Sequence, residues 1–367
     1  MASKKISYYT PARILKKNCI YNVIYGKRSN GKTYAALLYG IKEYFKNGSE
    51  IAYIRRWGDD FKGKRGDTLF AALVQNGEIE KASGGLWTNV YYYGGRWYFC
   101  RYEGEEGHRE RIKDEFPFCY GFSLNAMEHD KSSSYPKVRT IIFDEFLTRT
   151  MYLNDEFVLF MNVISTIARS RTDVKIFMLG NSVNKYCPYF GEMGLKGVKT
   201  QEPGTIDVYQ YGSSKLTVAV EYVPPHEGQG KEGNLLFAFD NPKLKMISHG
   251  DWEIDIYPHL PIRYRNKDII FQYFIKWDGE IIHCEIVHVD NNLFTYVHQK
   301  TTEIKDEDHD IIFQQENDPR PNYYTRLTHP VNNITRKITD CWKRDKIFYQ
   351  NNEIGELVNN YLKWCNS

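Results

Sequence analysis

Residues Tyr21–Leu38 read YNVIYGKRSNGKTYAALL, and this stretch decides the fold. Ile20–Tyr25 is a short apolar run rich in β-favouring residues, and Lys32–Lys46 repeats apolar residues at helical spacing. Between them, Gly26-Lys27-Arg28-Ser29-Asn30-Gly31-Lys32-Thr33 matches GxxxxGK[ST] at every required position, the Walker A pattern. The strand–loop–helix context is the one its chemistry needs. The glycines let the loop wrap closely enough for backbone N–H groups to point at a β-phosphate, and the following helix adds its positive end. Lys32 is placed to reach the β- and γ-phosphates, and the Thr33 hydroxyl to hold Mg²⁺. The expected ligands are therefore ATP and Mg²⁺, with Gly26 through Thr33 as the binding residues.

A second motif lies 112 residues beyond Lys32. In VRTIIFDEF (Val138–Phe146) a β-rich run delivers Asp144 and Glu145 to a strand end, the Walker B arrangement. Ligands of open α/β sheets bind beyond the carboxyl ends of the strands. Asp144 is expected to bind Mg²⁺ through water, and Glu145 is placed to polarise a water attacking the γ-phosphate. Asn181 closes the run VKIFMLGN (Val174–Asn181), where it reads equally as a γ-phosphate sensor or as a turn-capping asparagine. ARSR places Arg169 and Arg171 at the end of an amphipathic helix, Glu156–Ala168. There they are arginine-finger candidates or cations favoured by the helix dipole. Arg28 adds a cation inside the loop itself.

The rest of the chain bounds what this site can belong to. With 367 residues, 42% hydrophobic and 26% charged, the composition is that of a folded protein with room for two or three domains. No apolar run approaches the roughly 20 residues of a membrane span. Seven scattered cysteines without CxxC spacing argue for a reducing cytoplasm, and against a zinc site or disulfide framework. Residues 1–66 carry 15 Lys and Arg against four acids, a segment suited to phosphate. Lys62, Lys64 and Arg65 (FKGKRGD) read equally as a mobile loop or as a solvated basic loop. Strands alternating with helices predict an α/β fold with a mainly parallel central sheet and helices on both faces. Gly84–Tyr102 reads as an inserted hairpin turning at Gly-Gly, Asp268–Asp290 as a hairpin turning at Asp278-Gly279, and Asp345–Trp364 as a helix. Val223–Gly233 (VPPHEGQGKEG) is the best linker candidate.

Together these residues resemble the genome-packaging ATPases of small podoviruses of the phi-twenty-nine type, within the additional-strand, catalytic-glutamate class of P-loop motors. The resemblance covers about Tyr8 to Val223. It includes IAYIRRW (Ile51–Trp57), KSSSYPKVRTIIFDEF (Lys131–Phe146) and ARSRTDVKIFMLGNSVNKYCPYF (Ala168–Phe190). The last ends in Cys187-Pro188-Tyr189-Phe190 where the family has Asn-Pro-Tyr-Phe. The resemblance implies a P-loop NTPase domain over 1–224, a small linker domain over 225–260, and an α+β C-terminal domain over 261–367. That last domain would be ribonuclease H-like and catalytically inactive. It makes Arg169 the finger and Arg171 its neighbour, and puts Lys131 and Arg55 or Arg56 at a subunit interface. It also implies a homomeric ring, a pentamer, at the portal vertex of a procapsid in the bacterial host cytoplasm. That ring would drive double-stranded DNA inward by ATP hydrolysis, with a structural packaging RNA as a further candidate partner.

Two other classes remain open from sequence: a P-loop kinase with a small-molecule acceptor, and a nucleotide-gated assembly scaffold binding capsid or RNA. In the last third, Asp278, Glu280, Glu285 and Asp290 are carboxylates of the type a two-metal nuclease uses. Their spacing favours solvated strand faces instead. His283 and His288, at odd spacing without a third ligand, predict no metal site. The acidic run Glu303–Asp310 reads as a solvated loop.

Overall fold

The computed structural model describes residues 8–28, 30–104, 109–129, 134–148, 152–153, 155–181, 187–224, 257–344 and 346–366. The chain divides into two compact units. One comprises Met1–Arg149, Asp155–Lys185 and Glu192–Glu253; the other Thr150–Asn154, Tyr186–Gly191 and Ile254–Ser367. The expected linker domain falls mostly on residues 225–256, outside the described residues, as does Lys131.

In the first unit the strands are β1 (Tyr21–Gly26), β2 (Glu50–Arg55), β3 (Asn89–Tyr93), β4 (Arg96–Glu103), β5 (Glu110–Lys113) and β6 (Cys119–Ser123). They continue with β7 (Val138–Asp144), β8 (Lys175–Asn181), β9 (Ile206–Gln210) and β10 (Thr217–Val223). The sheet runs β3-β4-β6-β2-β7-β8-β1-β10-β9, with β5 beside β4. From β6 to β10 every pairing is parallel, and antiparallel strands extend both edges. The inner strands β1, β2, β7 and β8 are buried along nearly their whole length, as continuous apolar runs require.

Two helices cover opposite faces. Helix α1 (Lys32–Asn47) buries Ala35, Ala36, Leu37 and Ile41, and its Gly40 packs so closely that an added Cβ would lie 3.3 Å from Thr140 Cγ2. Helix α2 (Glu156–Ala168) packs from the other side, with Phe160 stacked on Phe143 at 5.0 Å between ring centroids. Strand side chains alternate between faces. Asp144, in phase with Thr140 and Ile142, therefore points to the face that carries the start of α1. Each buried leucine or phenylalanine in these layers contributes about 1.5–3 kcal/mol.

Several expectations about the elements need correcting. The strand expected over Val138–Phe146 stops at Asp144, and Glu145 leaves it in the left-handed region at φ 59°. The chain turns there because Arg56 holds the carbonyls of Glu145 and Phe146, while Asp144 Oδ1 accepts from the Glu145 N–H. The basic FKGKRGD segment is no loose loop. Lys64–Asp67 is a short helix whose Gly66 carbonyl accepts from Trp97 Nε1 at 2.8 Å. Lys62, Lys64 and Arg65 are nonetheless exposed.

The second unit carries β11 (Ile269–Trp277), β12 (Glu280–Val289), β13 (Asn292–Gln299), β14 (Ile311–Gln314), β15 (Tyr323–Tyr324) and β16 (Ile347–Tyr349). Their order is β15-β14-β11-β12-β13-β16. β11, β12 and β13 form an antiparallel meander, and β14 and β15 join parallel to β11. Its two tight turns, Asp278-Gly279 and Asp290-Asn291, all have positive φ, as type I′ hairpins demand. Helices α3 (Asn333–Lys343) and α4 (Asn352–Cys365) pack Ile338, Leu357, Val358 and Tyr361 onto one face, against Tyr273, Ile275, Cys284 and Val297. The helix expected over Asp345–Trp364 begins late. Ile347–Tyr349 is β-branched and aromatic and pairs with β13, and Asn351 caps α4 by accepting from the Ile354 N–H at 2.9 Å.

Candidate functional site

The loop between β1 and α1 is built by close approach. A Cβ on Gly26 would lie 2.6 Å from the Val223 carbonyl oxygen of β10, so only glycine lets these strands continue together. Gly31, at φ 83°, turns the chain into α1 and leaves the helix start without a side-chain cap or an acidic residue in its first turn. Its N–H groups are thus available to an anion. The loop is also braced from a segment that the sequence did not single out. The Tyr9 N–H donates to the Asn30 carbonyl at 3.0 Å, and the Tyr9 hydroxyl to Glu221 Oε2 at 2.7 Å.

Lys32 is buried and bends back into the loop. Its ammonium donates to the carbonyls of Gly26 (3.1 Å) and Lys27 (2.6 Å), to Asn30 Oδ1 (3.2 Å) and to Asn181 Oδ1 (3.3 Å). Burial lowers its pKa to about 8, with Asp144 pulling the other way. Asn181 sits here because β8 pairs with β1 in a register that sets it beside Gly26. Asn30 Nδ2, in the same loop, is buried without an acceptor. A buried cation and an orphaned donor around uncapped N–H groups form a donor set suited to a polyphosphate. Lys27 and Arg28 lie at the solvent side, and Ser29 falls outside the described residues.

Asp144 meets Thr33 from the end of β7, which β8 separates from β1. The Thr33 hydroxyl donates to Asp144 Oδ2 at 3.0 Å. Adjacent oxygens of an octahedral Mg²⁺ shell, at about 2.1 Å from the ion, stand about 3 Å apart, so the pair fits that ion. The Tyr53 hydroxyl donates to the same oxygen at 2.8 Å. Burial raises the Asp144 pKa, while Arg55, Tyr53 and Thr33 oppose that shift. Glu145 is half exposed and holds Arg55 Nη2 at 2.8 Å; Arg55 also reaches Asp60 (3.0 Å) and stands 3.9 Å from Asp144 Oδ2.

The structure gathers Lys32, Thr33, Asp144, Asn181 and Glu145; Arg169 and Arg171, expected to act on a neighbouring subunit's γ-phosphate, stand away from this site. Helix α2 runs back toward the start of β8, so both arginines stand at the opposite end of the sheet from Asp144. Arg171 donates there to the carbonyls of Tyr135, Pro136, Val138 and Ile167 at 2.8–3.1 Å. Val138 opens β7 and Asp144 closes it, about 20 Å away at 3.3 Å per residue. Arg169 is the exposed residue after α2, at φ 51°.

Of Arg55 and Arg56, one of which was expected at a subunit interface, burial sets aside only Arg56. Arg56 is 6% exposed, and its fork grips Glu156 at 2.7 and 2.8 Å from inside the chain, so it does not lie at a subunit surface. Arg55 belongs to the Asp144–Glu145 site. Tyr53 and Arg55 were legible as a pair only through strand alternation: both in phase on β2, they lean toward the acids of adjacent β7.

In the second unit, the four carboxylates considered for a nuclease do not converge. Asp278 and Asp290 sit in the hairpin turns, and Glu280 accepts from Gln299 Nε2 at 2.8 Å. Glu285 is not on a solvated face. It is buried, bonded to the Tyr264 hydroxyl, and grouped with His283 and His298, where sequence spacing had offered only His283 and His288. The run Glu303–Asp310 is largely exposed, as expected, except that Glu307 pairs with Lys276 and Tyr323.

The sequence profile of the Podovirus DNA encapsidation protein (Gp16) family matches residues 3–78 and 106–359, most of the chain. The chain belongs to that family. Among curated proteins, this Gp16-family chain is similar to the DNA packaging proteins of Bacillus phages phi29 (28% identical over 189 residues) and B103 (29% over 185 residues). The chain spans about half the length of the curated relatives it matches, 50% in each case, and half of its own length is aligned. Among solved structures, its fold resembles the Phi-28 gp11 DNA packaging motor, with a TM-score of 0.59 at 16% identity over 99% of each chain. It also resembles a chain of the bacteriophage Phi-29 viral genome packaging motor assembly, with a TM-score of 0.58 at 19% identity. That match covers 98% of this chain and 99% of the other.

Proposed function

We propose that this chain is the subunit of an ATP-driven ring, a pentamer, that moves double-stranded viral DNA into a preformed capsid at its portal vertex. The carrying observation is the convergence of Lys32, Thr33, Asp144 and Asn181 at the carboxyl ends of adjacent parallel strands, in a chain of the Gp16 family. The names of the curated relatives, all DNA packaging proteins, support the direction of the work.

In this reading the first unit is a P-loop ATPase domain. The phosphates of ATP take the place of the loop carbonyls around Lys32 and engage the N–H groups at the start of α1. Thr33 and Asp144 hold Mg²⁺, which neutralises charge on the β- and γ-phosphates. Glu145, once it leaves Arg55, orients and polarises the attacking water. Arg169 is assigned to a neighbouring subunit's γ-phosphate, a role its distance from its own chain's site permits. Arg171 fixes the chain before β7 rather than contacting phosphate. The second unit, with β11, β12 and β13 antiparallel and β14 and β15 parallel beside them, supports the ribonuclease H-like reading of residues 261–367. Its scattered carboxylates support the absence of nuclease chemistry. Exposed Lys62, Lys64 and Arg65 are candidates for contact with DNA phosphates, and a structural packaging RNA is a candidate at the docking site.

The test is ATP turnover with and without duplex DNA, alongside native mass measurement of the assembly. Hydrolysis without any acceptor, increased by duplex DNA and accompanied by a ring, is expected. Turnover that requires a small-molecule phosphate acceptor would replace the motor by a kinase. Titrating Arg169→Ala subunits into wild type should depress turnover more than in proportion to their share; a strictly proportional fall would remove the finger in trans.

A further inference from the structure

We propose that His283, Glu285 and His298 form a binding site for one divalent transition-metal ion, zinc being the ion their chemistry suits. His283 and Glu285 are two residues apart on β12 and share a face, and the β12–β13 register sets His298 directly opposite His283. His283 Nδ1 and His298 Nε2 each stand 3.7 Å from the same oxygen, Oε1 of Glu285. All three ligand atoms lie within 4.8 Å of one another.

The remaining polar atoms are already committed outward. His283 Nε2 faces Gln272 Oε1 at 3.2 Å, and His298 Nδ1 faces the Gln299 carbonyl at 3.2 Å. Both partners are acceptors, so each ring carries its proton on the outer nitrogen and turns a lone pair inward. The Tyr264 hydroxyl donates to Glu285 Oε2, which leaves Oε1 for the centre. Three lone-pair atoms thus converge with no donor between them, at a separation too long for direct hydrogen bonds. Outer partners that fix tautomer and carboxylate orientation are the usual companions of metal-binding histidines.

The spacing suits zinc. Tetrahedral ligands at about 2.0–2.1 Å from the ion stand about 3.3–3.4 Å from one another, a few tenths of an ångström inside the two 3.7 Å nitrogen–oxygen separations, while the two histidines' ligand atoms lie within 4.8 Å and close inward on the ion. Three protein ligands leave a fourth position for water or for a partner's side chain.

The full chain, stripped with chelator and held in saturating Mg²⁺ to occupy the acidic site of the first unit, is titrated with Zn²⁺ by calorimetry. Co²⁺ substitution is followed by visible absorption. One zinc per chain is expected, with the intense absorption of four-coordinate cobalt. The double variant His283→Ala/His298→Ala should lose that zinc, and Gln272→Leu should weaken it by about 10–100-fold. Equal zinc binding by the double variant, or no zinc binding by wild type, overturns the site. Should the double variant fail to fold, the wild-type chain decides by carbethoxylation and mass spectrometry. Zinc should protect His283 and His298 while leaving exposed His309 reactive, and equal modification with and without zinc overturns the site.

Discussion

The two sheets of this molecule gather their polar side chains by different geometries. In the first, parallel strands all end at one edge, so groups from β1, β2, β7 and β8 meet in the loops beyond it. Lys32, Tyr53, Asp144 and Asn181 come together there although they lie on separate strands and helices. In the second, the antiparallel meander brings β12 and β13 side chains together in mid-strand. His283, Glu285 and His298 meet across a ladder and not at an end. A parallel sheet thus builds a site that opens to a large ligand, whereas a meander builds a compact one that accepts an ion.

Substitutions can break or sharpen this contrast. The largest effect belongs to Glu145→Gln, which should lower ATP turnover by about 10²–10⁴-fold with ATP affinity changed only a few-fold. Steady-state hydrolysis and fluorescent-nucleotide binding measure the two. Glu280→Gln and Asp290→Asn, in the second sheet, should leave turnover intact; comparable losses there would erase the contrast. Next in size, Arg56→Leu should destabilise the first unit by about 3–5 kcal/mol, since it strands the 1%-exposed carboxylate of Glu156. Denaturant unfolding checks this, and Arg56→Leu/Glu156→Leu should recover part of the loss.

A smaller effect follows pH. The Lys32 pKa is lowered to about 8 from 10.5, so between those values the unfolded chain holds a proton that the folded chain has released. In that window the nucleotide-free fold gains stability from this group as pH rises. Nucleotide binding runs the other way, because polyphosphate needs the ammonium. ATP affinity should be about tenfold weaker at pH 9 than at pH 7, with proton uptake visible by calorimetry in buffers of different ionisation enthalpy. Smallest, Tyr53→Phe removes one hydrogen bond to Asp144 and should cost about 0.5–1.5 kcal/mol in thermal or denaturant unfolding.

Legibility in the sequence follows the same contrast. The first site could be read because strand, loop and helix are consecutive around Gly26–Thr33, and because Asp144 and Asn181 each close an apolar run. Its strands and helices were predicted to within a residue or two for the same reason. What escaped depended on tertiary pairing. Arg56 and Glu156 are 100 residues apart, and nothing local marks them as a buried pair. Tyr9 braces the loop through Glu221, 212 residues away. In the second unit, His283 was compared with His288 along one strand, where alternation separates them. Its neighbour His298 lies across the ladder, and pairing of that kind is set by hairpin register. The late start of α4 had a local signal in Asn351, outweighed by the helical pattern that follows.

The three loop oxygens around Lys32, with Asn181 Oδ1 from β8 as a fourth acceptor, make the resting site a competitor for its own ligand. A visiting nucleotide must exchange each of these contacts for one of equal quality, so a single phosphate leaves the exchange incomplete and a chain of three can finish it. On the proposed reading, the resting site should therefore discriminate by phosphate count. A titration series from AMP through ADP to ATP should show affinity rising in steps, with Asn181→Ala flattening the last step.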